Sequence, residues 1–249
     1  VCLLSIAWQV HPDYPLVFLG NRDEFHARPA AAADWWQDNP DVLGGIDLEA
    51  GGSWLGMNRA GRFAVVTNRP DLPAPETNAR SRGELVTAWL KNETPSAIDL
   101  LSERNALYGG FGLLLATPGK LQRLTGGNGA ELRQDDLPAG IYGLSNTAVD
   151  DPWPKLTWLN HQLGHLLETG PPDHGTLLEL LLYDEPVAAD TEPRVAAVPF
   201  IEGADYGTRS ASVVTVNNAG HCRFTERRFG PGGRPMGTSE FDFQVPEST

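Results

Sequence analysis

A chain of 249 residues, 41% of them hydrophobic, has enough material to bury a core, as one large domain or two small ones. Its formal net charge of −13 at pH 7 excludes nucleic acid and anionic membrane surfaces as natural partners, because both repel an acidic protein. Two cysteines, Cys2 and Cys222, are too few for a disulfide framework or a cysteine-built metal site, and they point to a reducing, cytoplasmic setting.

Residues 2–9 and 15–21 are short apolar runs split by His11-Pro12-Asp13-Tyr14-Pro15, which predicts two strands joined by a turn. The first run lacks the basic start of a signal peptide, and no stretch of the chain is long enough to span a bilayer. The second delivers Asn21-Arg22-Asp23-Glu24 at its end, followed by an Ala30 to Ala33 run and Trp35-Trp36 on an expected loop. Residues 53–58 and 62–68 predict a hairpin turning at Asn58-Arg59-Ala60-Gly61, with Asn68 at its far end. Ser81-Arg82-Gly83-Glu84 has the spacing of a capping box, predicting a helix through Leu90, and a second helix is expected from Ser96 to Asn105.

Phe111 to Ala116 and Lys120 to Leu124 flank Thr117-Pro118-Gly119 as another hairpin, and Gly126-Gly127-Asn128-Gly129 reads as a turn. Ile141 to Asn146 predicts a short strand. Leu156, Leu159, Leu163, Leu166 and Leu167 recur at spacings of three and four, the stripe of a helix packed on a sheet. A further helix is expected from His174 to Tyr183, then a surface loop from Asp184 to Gly203. Ser210 to Val216 and His221 to Phe229 form the last expected hairpin. Grouped strands and helices of this kind favour layered antiparallel sheets with helices on their outer faces over a doubly wound parallel sheet.

Chemistry concentrates at the chain start. Lysine appears only as Lys91, Lys120 and Lys155, an arginine bias that suits a GC-rich, bacterial coding sequence in which Val1 stands for a GTG start codon. Removal of the initiator would make Cys2 the N-terminus, joining a thiol nucleophile to an α-amine whose pKa of about 8 suits a general base. The plainer alternative is a half-buried cysteine on a first strand. A thiol attacking a carbonyl also needs a cation or hydrogen bonds to favour thiolate and donors for the oxyanion. Arg22 or Arg209 and the amides of Asn68 and Asn146 are candidates for these, with Asp23 and Glu24 as acidic neighbours. Trp35, Trp36, Trp54 and Tyr142 are candidates for lining a substrate pocket, core or lid packing being the alternative for the tryptophans. His161 and His165, four apart on a helix, lack a third ligand and read as a solvated face, so no metal or cofactor is expected. Gly143-Leu144-Ser145-Asn146-Thr147 lacks the second glycine of a nucleophile elbow.

Seven short motifs in order, Asn21-Arg22-Asp23-Glu24-Phe25, Trp54-Leu55-Gly56, Thr67-Asn68, Arg82-Gly83-Glu84-Leu85, Tyr142-Gly143-Leu144-Ser145-Asn146, Tyr206-Gly207-Thr208-Arg209 and Phe224-Thr225-Glu226-Arg227, resemble the NRDE or transport and Golgi organisation family over nearly the whole chain. The resemblance implies roles in Golgi organisation, secretion and haem or lipid handling. Gly56-Met57-Asn58-Arg59-Ala60-Gly61 with Ala64 to Asn68, Leu144-Ser145-Asn146 and Arg209 are more distantly similar to cholylglycine hydrolases and penicillin V acylases. That similarity implies a single α+β domain over residues 1–249, a four-layer αββα sandwich of two antiparallel sheets flanked by helices. It implies Cys2 as nucleophile, Asn68 and Asn146 as oxyanion or amine-orienting groups, and Arg209 as thiolate partner. Those acylases carry Arg-Asn-x-Asp where this chain has Asn21-Arg22-Asp23-Glu24, which leaves both Asp23 and Glu24 open for the acidic role.

Two functions follow as expectations. One is an N-terminal-nucleophile amidohydrolase, acyltransferase or thioesterase acting on a small-molecule amide or thioester. The other is a binding or trafficking protein holding a hydrophobic ligand such as haem or an acyl chain. A homo-oligomer is compatible with either, and a scaffold without a pocket ranks last.

Overall fold

The computed structural model describes residues 2–72, 79–94, 96–147, 152–188 and 196–247. Val1 and residues 189–195 of the expected Asp184–Gly203 loop lie outside them. The chain divides into two compact units, one made of the residues up to Ala27 and from Ala139 to Gln244, the other of Arg28–Pro138 and Val245–Thr249.

The first unit is a six-stranded antiparallel sheet in the order β10-β1-β2-β11-β12-β13. Its strands are β1 (Cys2–Trp8), β2 (Leu16–Phe25), β10 (Gly140–Leu144), β11 (Tyr206–Val216), β12 (His221–Phe229) and β13 (Pro235–Gln244). Side chains alternate faces along a strand. Leu3, Ala7, Val17, Leu19, Ala211 and Val213 therefore share the face packed against two helices, α3 (Pro154–Thr169) and α4 (His174–Leu181). These helices answer with Leu156, Leu159, Leu163 and Leu167, and with Leu177, Leu178 and Leu181. Gly143 is needed where β10 meets α3, because a Cβ there would stand 2.3 Å from Leu156 Cδ1.

The second unit is a seven-stranded antiparallel sheet in sequential order from β3 to β9. Its strands are β3 (Ala30–Trp36), β4 (Asn39–Asp47), β5 (Leu55–Asn58), β6 (Phe63–Asn68), β7 (Phe111–Thr117), β8 (Lys120–Gly127) and β9 (Ala130–Leu137). Helices α1 (Gly83–Lys91) and α2 (Ala97–Arg104) pack Leu85, Val86, Trp89, Leu100 and Leu101 against Ala64, Val66, Leu113 and Leu115. Two antiparallel sheets and four helices among the described residues make an α+β protein, as expected. No helix among them is long and apolar enough to cross a membrane.

Several local expectations need correction. Trp35 and Trp36 lie on β3 rather than on a loop, and β4, β9 and β13 were not anticipated. β2 runs on through Arg22, Asp23, Glu24 and Phe25 because it is paired on both sides, by β1 as far as Arg22 and by β11 as far as Phe25. The Ser81 capping box does not form: Arg82 is the N-cap with no side-chain bond, and Glu84 instead accepts from Arg80 Nε at 2.8 Å. A reciprocal capping box closes α2, where Ser96 and Asp99 satisfy each other's backbone N–H groups. The described end of the Asp184–Gly203 loop is not on the surface, since Ala196, Ala197, Val198 and Phe200 are buried.

Candidate functional site

Cys2 opens β1 directly opposite Arg22 of β2, so the two side chains share one face of the sheet. The backbone N–H of Cys2 donates to Asn146 Oδ1 at 2.5 Å, with Asn146 just beyond the end of β10. Burial pushes the Cys2 thiol above its ordinary range, the Asp23 carboxylate adds to this, and the Arg22 charge opposes it.

Alternation turns Asp23 to the opposite face, toward the helices, where its side chain is 0% exposed. Thr208 Oγ1 donates to Asp23 Oδ1 at 2.7 Å, and Lys155 Nζ of α3 stands 3.8 Å from Oδ2. Lys155 also donates to the Val198 carbonyl at 3.4 Å, and Tyr206 Oη donates to the Asp23 carbonyl at 3.1 Å. Desolvation raises the Asp23 carboxyl while Lys155 holds it down, and burial lowers Lys155 while Asp23 holds it up. Neighbouring Asn21, on the same face, donates its amide to the carbonyls of Leu181 and Pro199 at 2.7 and 3.1 Å, fastening the strand to α4 and to the buried segment before β11.

A β-bulge decides where Arg209 goes. Asp23 pairs with Thr208 and Arg22 with Ser210, leaving Arg209 as the extra residue of β11. An inserted residue re-aims its side chain. Arg209 Nη1 donates to the Phe25 carbonyl at 2.8 Å, and burial followed by the charge of Arg22 lowers its pKa, which places the two guanidiniums near each other. Glu24 stays local, its carboxylate 4.0 Å from Arg22 and accepting the Phe25 N–H.

The first unit therefore gathers Cys2, Arg22, Asp23, Glu24, Asn146 and Arg209. Tyr142 sits on β10 opposite Ile6. Asn68 ends β6 of the second unit, in register with Phe111. Trp36 is in that unit's core, its indole N–H donating to the Gly44 carbonyl at 2.9 Å, and Arg59 stacks over Trp35 at 3.8 Å. Trp54 precedes β5, and its carbonyl accepts from Val66. His161 and His165 are exposed on α3, and no group of metal-ligating side chains forms among the described residues.

Sequence reasoning missed Lys155, Thr208 and Tyr206 as members of this network. A signal for Lys155 was present: it stands in a row of spacing four with Leu159, Leu163 and Leu167, the buried side of α3. A cation in such a row must meet a buried anion.

Two solved structures share this architecture. One is an N-acylethanolamine-hydrolyzing acid amidase ortholog of Caenorhabditis elegans, with a TM-score of 0.53 and 13% identity over 85% of this chain and 92% of that one. The other is the mutant C2A conjugated bile acid hydrolase from Clostridium perfringens, with a TM-score of 0.55 and 11% identity over 97% and 92%. Both likenesses are of fold, a layered α+β arrangement shared with these two proteins.

Sequence comparison narrows this further. The family model for Transport and Golgi organisation 2 matches residues 1–231, and the chain belongs to that family. The Transport and Golgi organization protein 2 homolog of Bos taurus is 37% identical over 91% of this chain and 92% of its own length. The Homo sapiens homolog is 34% identical and the Drosophila melanogaster protein 26%, each over 91% of this chain. The family resemblance carried by the seven sequence motifs is borne out.

Proposed function

We propose that this protein is a hydrolase or acyltransferase whose nucleophile is Cys2, acting on an amide or thioester carbonyl once Cys2 is the first residue of the mature chain. The observation that carries the reading is the Cys2 N–H donating to Asn146 Oδ1, with Arg22 across the strand pair. That bond would hold the α-amine of a processed Cys2 beside its own sulfur. A thiol kept neutral at rest by burial then needs a base at the moment of attack, and the α-amine supplies one.

In the first step Cys2 Sγ attacks the carbonyl carbon, an S–C bond forms, and the thiol proton passes to the α-amine. The α-ammonium returns that proton to the leaving nitrogen or sulfur as the tetrahedral intermediate collapses, leaving an acyl-Cys2 thioester. Water, deprotonated by the α-amine, attacks the thioester and releases the acid and the free thiol. Asn146 orients the amine, Arg22 and Arg209 favour negative charge at the sulfur, and Asp23 is the acid of the site rather than Glu24.

A second reading keeps Cys2 as a ligand contact for an acyl chain or haem. It draws on the same raised thiol, which is neutral and suits packing against an apolar molecule. A role in transport and Golgi organisation, as the relatives are named, fits either.

The test is protein expressed from its native start, with intact mass to locate the first residue, followed by turnover of a panel of N-acyl amides and acyl thioesters. The hydrolase reading expects a chain starting at Cys2, turnover, and its loss in Cys2→Ser with melting unchanged. Turnover that survives Cys2→Ser overturns it. Co-purified lipid or a Soret band that survives Cys2→Ser, without turnover, establishes the binding reading instead.

A further inference from the structure

Lys155 is a lysine in the wrong place by every local criterion. It lies in the first turn of α3, where the helix dipole disfavours a cation, and its side chain is 0% exposed. Desolvating an ammonium costs several kcal/mol. Local structure gives it little in return: a 3.4 Å bond to the Val198 carbonyl and the face of Trp153 at 5.4 Å. Among the described residues its ion-pair partner is Asp23 at 3.8 Å, a carboxylate that is itself buried and already accepts the Thr208 hydroxyl. Asp23 in turn neighbours the nucleophile, being the residue after Arg22, which pairs directly with Cys2.

We propose that Lys155 is a positioning residue for the Cys2 centre, its buried ammonium offsetting the charge of the Asp23 carboxylate on the helix side of the sheet so that this anion does not oppose a thiolate on the other side. The inference deepens the reading of Cys2 as a nucleophile and rests on it. Three structural relations support it. Asp23 is the residue after Arg22, the cross-strand partner of Cys2, so its charge lies one residue from the nucleophile. Thr208 hydrogen-bonds one carboxyl oxygen at 2.7 Å while Lys155 Nζ stands 3.8 Å from the other. Cys2 and Asp23 both favour the charged form of Lys155, which places all three groups within electrostatic reach. The other charged or titratable groups facing the cluster are the α-amine of a processed Cys2, Arg22 and Glu24 on β2 and Tyr206 on β11. Lys155 is the cation with the largest pull on Asp23, and Arg22, 4.0 Å from Glu24, adds a smaller one.

The experiment reads the thiol directly, without a substrate. The rate of iodoacetamide alkylation of the full-length protein is measured from pH 6 to 10. Cys222 is fully buried with its thiol pushed up, so Cys2 is the reporter, verified by peptide mass. In Lys155→Met the Asp23 carboxylate faces the forming thiolate uncompensated. The alkylation midpoint should rise by about one pH unit, about a tenfold slower reaction at pH 7. Lys155→Arg should restore the rate. The double variant Asp23→Asn with Lys155→Met removes both charges and should return to within about threefold of wild type.

A Lys155→Met profile within about twofold of wild type at every pH overturns the proposal. So does a double variant that keeps the whole shift of the single one. If Lys155→Met does not fold, Asp23→Asn decides: with the ammonium retained and the anion gone, alkylation at pH 7 should be about tenfold faster, and an unchanged rate overturns the proposal. Alkylation reports the thiol whether or not any amide is turned over, so failure here is distinguishable from failure of the hydrolase reading.

Discussion

Asn146 Oδ1 accepts the Cys2 backbone N–H at 2.5 Å, tying the residue after β10 to the first residue of β1. The two strands pair from Leu4↔Leu144 onward, so the bond continues the ladder by a side chain where the backbone of β10 turns away. Replacing Asn146 with Leu removes the acceptor and leaves a part-buried N–H unpaired, about 1 kcal/mol of stability. Turnover should fall about 100-fold, a cost typical of a displaced nucleophile, with Asn146→Asp retaining more because an oxygen remains. Steady-state rates and urea melts of the two variants check this.

Thr208 donates to the buried Asp23 carboxyl from the position directly across β11. Thr208→Val keeps the shape and deletes the donor, so it should destabilise by about 1–3 kcal/mol, while Thr208→Ser should recover most of that. Chemical denaturation of the three proteins at neutral pH gives the comparison.

His174 starts α4 and is held between Thr225 Oγ1 at 2.8 Å and Thr215 Oγ1 at 2.9 Å. Burial, with the nearby Arg223 charge, pushes its pKa down to about 4. A depressed histidine binds its proton more readily in the unfolded chain, so it contributes stability above pH ~6.5 that is lost as pH falls through 6.5 toward about 4. The contribution is on the order of 3 kcal/mol. The stability difference between wild type and His174→Gln, measured by urea titration, should shrink between pH 7 and pH 4.

Capping separates two serines that look alike in sequence. Ser96 closes a reciprocal box with Asp99, whereas Ser81 lies outside the N-cap position held by Arg82. Ser96→Ala should cost about 1 kcal/mol and Ser81→Ala less than about 0.5, read from thermal melts.

The hairpins at Asn58 to Gly61 and Asn217 to Gly220 and the leucine stripe of α3 were legible because each is a local pattern of turn residues or apolar period. Apart from β4, the strands that went unread were edges. β3, β9 and β13 each have a neighbour on one side only, and their exposed residues leave no alternating apolar signal. Backbone bonds to a neighbouring strand hold them, and such bonds carry no side-chain signature.

The candidate site divides along the same line. Cys2, Arg22, Asn146 and Arg209 were visible as residue types in ordered motifs, and the α+β class followed from the grouping of strands and helices. Which acid is buried, which residue leaves the β11 ladder, and which lysine faces the carboxylate were set only by folding. Asp23 rather than Glu24 turns toward Lys155 because β2 stays extended through both and alternation gives them opposite faces. A shift of one residue in that register would exchange them, and register is fixed by pairing with β1 and β11, strands far apart in the chain.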